Sequence, residues 1–180
     1  MIYEGTPWKR ELRRSAIRLS VWCRKPPTER GYFLIEKQTF LSAFVVRKLF
    51  DSHKITDAVQ SQSVTLEFFP AKLNVLGGMA SVFGKSHLDE VYDVEASETR
   101  SLTVREIVNQ IIHSFFFVVD SKGTDETFLF FNSDRTKGDF IVQLPLSRYV
   151  QLLKSIVADQ VQSASIIVDR LTGKVSVALK

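Results

Sequence analysis

One cysteine in 180 residues, Cys23, excludes an internal disulfide framework, and with no other thiol the chain cannot build a Cys-based zinc site. That poverty points to a reducing, cytoplasmic setting. The 8 glycines and 5 prolines are too few for a collagen-like or low-complexity chain. A long hydrophobic run is missing as well. The longest apolar stretch, Ile111 to Val119, is interrupted by His113 and Ser114 and falls far short of the roughly 18 apolar residues that a membrane helix needs. The start, Met1 to Pro7, leads into basic sequence and lacks the apolar core and small-residue cleavage site of a secretory signal. The expectation is a soluble protein with no membrane partner.

What remains is an average globular composition, 44% hydrophobic and 24% charged, in a length that suits a single domain over residues 1–180. The net charge of +4 conceals a split: residues 1–54 carry 12 Lys or Arg against 5 Asp or Glu, whereas residues 55–180 sum to −3. A basic first third suits nucleic acid or an acidic partner. It also suits the chain's own acidic stretch from Asp89 to Glu98, and internal pairing is the simpler expectation.

Thr6-Pro7 has the form of an N-cap and first helical residue, and a helix over about 7–24 follows, ended by Pro26-Pro27. Trp8, Leu12, Ala16, Leu19, Trp22 and Cys23 share one face, and Arg10, Arg13, Arg14 and Arg18 the other. A second helix over 33–50 is apolar nearly all round, through Phe40, Leu41, Phe44, Val45, Val46, Leu49 and Phe50, and so is expected at the centre of the molecule. Gln62 to Phe69 alternates as a half-buried strand stopped by Pro70. Residues 71–101 carry weak signals, with a short strand suggested at Tyr92 and Val94. A third helix spans 103–114. Apolar runs at 115–119, 127–131 and 139–144 form a three-strand meander, a fourth helix follows Pro145, and 165–168 with 174–179 form a hairpin around Gly173. The class is α+β: an antiparallel sheet built from the C-terminal meander and hairpin, covered by about four helices. Phe115-Phe116-Phe117 points to both faces of its strand, which suits either a strand covered on both sides at the sheet centre or a subunit interface.

Gly84-Lys85-Ser86 has the composition of the end of a phosphate-binding loop, but the first glycine of that motif would fall on Met79 rather than Gly78. His87 with Asp89, Glu90 and Asp93 offers nitrogen and oxygen ligands that read more simply as a solvated edge, and no metal or cofactor is expected. His53 falls near the end of the second helix, where an imidazolium suits the helix carbonyls. Cys23 lies on an apolar face, as a buried, inert thiol does.

The third helix carries the strongest candidate chemistry. Arg105, Asn109 and His113 stand at i, i+4 and i+8 as a polar ladder opposite the apolar stripe of Val104, Ile107, Val108, Ile111 and Ile112. Histidine is the side chain most easily tuned for proton transfer near neutral pH, and an Arg or Asn one turn away can orient it or hold a phosphate. Any amphipathic helix has polar residues on its outer side, which is the plainer explanation. The run Val108-Asn109-Gln110-Ile111-Ile112-His113 resembles the Arg-polar-x-x-x-His motif of the HEPN superfamily. Asn109 matches the polar residue and His113 the histidine, Val108 stands where the motif has arginine, and Arg105 supplies a charge one turn earlier. The resemblance covers six residues and implies a metal-independent RNase site formed between two copies of a helical chain.

Two functions follow. With no complete catalytic constellation, the leading expectation is a non-catalytic binding or assembly module, a homo-oligomer or the partner of another protein. The alternative is an RNase or RNA-binding protein that uses His113, Asn109 and Arg105, with Arg10, Arg13, Arg14 and Arg18 contacting the nucleic-acid backbone.

Overall fold

The computed structural model describes residues 4–72, 88–121, 124–168, 172 and 175–180. The glycine-lysine-serine run at 84–86 and His87 lie outside them. Helix α1 spans Gly5–Ser20 and has Glu4 as its N-cap, with no side-chain capping bond. Pro7 is therefore the third helical residue rather than the first, still inside the turn whose N–H groups have no helical acceptor. Helix α2 spans Glu29–Asp51, a turn earlier than periodicity suggests, because Thr28 caps it by accepting from the Gly31 N–H at 3.2 Å. Glycine keeps the packing close there: a Cβ would stand 3.0 Å from the Trp22 ring and 3.2 Å from Pro27, so those side chains would have to give way.

A short turn α3 (Asp57–Gln60) leads to strand β1 (Ser63–Pro70). After it come α4 (Leu88–Val91), β2 (Glu98–Thr103) and α5 (Val104–Ile112). Helix α5 opens with a capping box: the Thr103 hydroxyl accepts from the Glu106 N–H, and the Glu106 carboxylate accepts from the Thr103 N–H at 2.7 Å. Strands β3 (Ser114–Asp120), β4 (Phe128–Ser133) and β5 (Phe140–Pro145) form the meander; helix α6 (Leu146–Ala158) and strands β6 (Ala164–Val168) and β7 (Val175–Leu179) close the chain.

The fold is α+β, with a five-stranded antiparallel sheet in the order β2-β1-β5-β4-β3. The terminal hairpin does not join that sheet. It forms a separate two-stranded ribbon, and β1 and β2 complete the main sheet instead. One sheet face carries Val64, Leu66, Phe68, Leu129, Phe131, Val142 and Leu144 and packs with residues of α1, α2, α5 and α6 in the main core. The opposite face holds a smaller cluster, Phe69, Phe116, Phe130 and Ile141, packed with Val91 and Tyr92. Strands β4 and β5 are thus buried on both sides, which is why their sequences read as continuous apolar runs.

The Phe115-Phe116-Phe117 strand lies at the sheet edge, not its centre. A register shift between Ser114 and Phe116 turns Phe116 into the smaller cluster, while Phe117 meets Phe40 of α2 with ring centroids 4.7 Å apart. Tyr92 makes a single bridge with Ala71 in place of the short strand its sequence suggested. Helix α2 also departs from expectation. Ile35, Thr39, Ala43, Val46, Leu49 and Phe50 are buried, but Phe33, Leu41 and Phe44 are 60%, 52% and 53% exposed, so one side of the helix faces outward.

Candidate functional site

Helix α5 ends at Ile112, and His113 is its C-cap, donating its own N–H to the Asn109 carbonyl at 3.0 Å. Its side chain is exposed at the mouth of a cleft of about 620 Å³ that Arg47, Asn109, Gln110, Ser133, Asp134 and Arg135 also line. The fold brings Asn109 and His113 together and adds two arginines from distant segments. Arg105 is not among them. Its guanidinium donates to Gln60 Oε1 at 2.7 and 3.3 Å and lies 5.2 Å from the centre of the Phe50 ring, an anchoring role between α5 and the α2–α3 region.

Some of the cleft's polar groups already have partners. Arg47 donates to the Asn109 side-chain oxygen and also to Asp51 at 3.1 and 3.3 Å. Asp134 takes the Lys137 ammonium at 2.6 Å. Gln110 Oε1 is buried without a hydrogen-bond partner among the described residues. A cleft lined by a histidine and two arginines suits an anion, whereas general acid–base chemistry needs a second titratable group placed beside the first. Asp134, the acid lining this cleft, is occupied by Lys137.

The arginine face of α1 is solvent-exposed, as its periodicity suggested. Arg14 pairs with Glu11 on the same helix, and Arg10, Arg13 and Arg18 make no ion pair among the described residues. The expected internal pairing with residues 89–98 therefore does not engage these three. Within the acidic stretch Glu98 takes Arg100 at 2.5 Å, and Asp93 accepts the Glu95 N–H. Cys23 is half-buried, its thiol 3.7 Å from the Leu19 carbonyl, and burial pushes its pKa up, so the thiolate is disfavoured.

His53 stands just past the end of α2. It follows the Ser52 cap of α2 in the left-handed conformation, φ 56°, where its N–H donates to Phe50 O and the Lys54 N–H to Leu49 O, closing the helix.

Along the exposed side of α2 runs a row that periodicity alone did not single out: Arg30, Phe33, Lys37, Leu41, Phe44, Lys48 and Asp51, spaced 3, 4, 4, 3, 4 and 3 residues apart. That is the mean spacing of 3.5 residues that lets one helix lie along another. Lys37 sits 6.0 Å from the centre of the Phe33 ring and Lys48 5.5 Å from that of Phe44. The spacing was legible, but the neighbouring apolar residues of the core-facing side masked it. Arg47 and Arg135 had no local signal at all, because only folding carries them to His113.

Among the described residues no three His, Cys, Asp or Glu side chains come together as a metal-binding group, and no helix is long and apolar enough to cross a membrane. No family model matches the chain, and no curated protein or solved structure matches it, so its function is read from its own residues.

Proposed function

We propose that the chain is a non-catalytic assembly module that works as a homodimer, two copies lying antiparallel along α2 with Leu41 beside the two-fold axis. The observation that carries this is the self-complementarity of the exposed α2 row. With the helices antiparallel about the point between residues 40 and 41, Arg30 opposes Asp51 of the second copy, Phe33 opposes Lys48, and Lys37 opposes Phe44. Every opposition is a cation with a carboxylate or a cation with a ring, and a two-fold interface repeats each of them. Burial of three large exposed apolar side chains per copy supplies the drive, and the flanking charges fix direction and register.

Light scattering behind size-exclusion chromatography, run at rising protein concentration, tests it. Wild type should reach the mass of two chains and Leu41→Glu that of one, with an unchanged circular dichroism spectrum. Arg30→Glu should weaken the dimer and Arg30→Glu with Asp51→Lys should restore it. A wild type that stays monomeric, or a Leu41→Glu variant that stays dimeric, refutes the arrangement.

A second reading, RNA binding or metal-independent RNA cleavage of the HEPN-like type, draws support from the meeting of Asn109, His113, Arg47 and Arg135 around one cleft. Here Arg47, rather than Arg105, supplies the charge beside Asn109. Labelled single-stranded and structured RNA incubated in EDTA should be cleaved by wild type and spared by His113→Ala at equal stability. Equal behaviour of the two proteins removes His113 from any such role.

A further inference from the structure

At the start of α1 lies an open cavity of about 610 Å³, formed where α1, the α2–α3 connection and the segment after α6 meet. Lys9, Arg10, Arg13 and Lys54 line it, against the single carboxylate of Asp159. That carboxylate is already engaged: it accepts the Thr56 N–H at 2.9 Å and the Thr56 hydroxyl at 2.7 Å, and the Lys9 ammonium stands 3.8 Å away. Lys9 and Asp159 are both largely buried, 14% and 7% exposed at their side chains. They form the wall. The side chains of Arg10, Arg13 and Lys54 have no ion-pair or hydrogen-bond partner among the described residues, so three cationic side chains line one space whose single carboxylate is already held by Thr56 and Lys9.

The convergence is built rather than incidental. Lys54 is pressed against the start of α1, where a Cβ on Gly5 would stand 3.3 Å from Lys54 Cβ, so glycine admits the close approach. The left-handed turn at His53 directs the chain into that position, and the Thr56–Asp159 bonds tie the α2–α3 connection to the end of α6. Thr6 adds a hydroxyl and the first turn of a 16-residue helix adds free N–H groups. Like charges gathered this way oppose folding, and a bound anion relieves them.

We infer that this cavity is a binding site for a small phosphorylated molecule, whose phosphate oxygens would be held by Arg10, Arg13 and Lys54. Guanidinium forks match phosphate oxygens in pairs, and a lysine adds a point charge. The volume is that of a small-molecule site. No aromatic side chain lines it, so nothing offers a stacking surface to a nucleobase, and the apolar share of the wall is Val157 and Val161. A sugar phosphate or diphosphate fits this chemistry better than a nucleic-acid strand. The inference does not depend on the dimer, since α2's exposed row and this cavity share no residue.

Titration calorimetry with inorganic pyrophosphate on the full chain, at low and at physiological salt, tests it. One site per chain is expected, with affinity falling at least tenfold in Arg13→Ala and in Lys54→Ala and unchanged in Arg18→Ala, whose residue lies outside the cavity. Thermal melts of the variants check that each still folds. Absence of pyrophosphate binding overturns the inference. So does an equal loss in Arg18→Ala, which would mark diffuse attraction to the whole basic face. A single-stranded RNA that displaces pyrophosphate with equal dependence on Arg18 also overturns it, in favour of a backbone-tracking surface.

Discussion

Asn132 is fully buried on the sheet face opposite α1, α2, α5 and α6 and ties four segments together. Its Nδ2 donates to the Tyr92 hydroxyl at 2.6 Å and to the Phe140 carbonyl at 3.2 Å, its Oδ1 accepts the Phe116 N–H at 3.2 Å, and Tyr92 passes a bond on to the Lys137 carbonyl at 2.9 Å. Asn132→Ala would leave the Phe116 N–H, at the register shift of β3, without an acceptor inside the protein. An orphaned buried donor costs about 1 to 3 kcal/mol, and the lost bonds to Tyr92 and Phe140 with the small void bring the total to about 2 to 4 kcal/mol. Tyr92→Phe should cost less, about 1 kcal/mol, because Asn132 keeps Phe140 and Phe116. Since the two side chains share a bond, the double variant should fall short of additivity by about 0.5 to 1.5 kcal/mol. Urea denaturation followed by circular dichroism measures all three. An Asn132→Ala variant within about 0.5 kcal/mol of wild type, or strict additivity with Tyr92→Phe, would show that the network contributes no more than its separate parts.

Three further outcomes are expected. Burial raises the Tyr92 pKa to about 12 and pushes that of Tyr149 higher still, so the folded state keeps protons that the unfolded chain gives up near pH 10; their stabilisation is complete below that pH and is lost as pH rises through the folded values. Urea melts between about pH 9 and pH 12 should show wild type losing roughly 2 to 3 kcal/mol more than Tyr92→Phe, and equal losses would refute the assignment. His53→Gly should stabilise the chain by about 0.5 to 1 kcal/mol, since glycine adopts a φ of 56° without Cβ strain, and a lower melting temperature would mean that the imidazole makes a contact of its own. Gly31→Ala should lower stability despite alanine's better helix propensity, because its methyl would stand 3.0 Å from the Trp22 ring; thermal melts reporting a gain would contradict this packing.

The amphipathic helices, the half-buried strand β1 and the meander were legible in the sequence because each is written in local periodicity. Leu12, Ala16 and Leu19 recur at helical spacing, and Val64, Leu66 and Phe68 alternate, whatever the rest of the chain does. Strand β2 escaped notice for the same reason in reverse. Its residues are exposed on both faces along most of its length, so Glu98 to Ser101 show no alternation, and pairing with β1 alone makes it a strand. The same limit applied to the candidate sites. The arginine face of α1 could be drawn on a helical wheel, but which of its members find a counter-charge, and that Lys54 comes to stand beside Arg10 and Arg13, depended on the approach of Gly5 to the α2–α3 connection.

What the sequence by itself determined, then, is the identity of the four longer helices, the α+β class and the residues with polar or apolar faces, because these follow from spacing along one segment. Tertiary structure alone decided the sheet order β2-β1-β5-β4-β3, the separation of the terminal ribbon, the outward side of α2 and the company of His113. Those features arise from contacts between residues tens of positions apart, as between Arg47 and Asn109 or Thr56 and Asp159, which leave no mark in the local pattern of either segment.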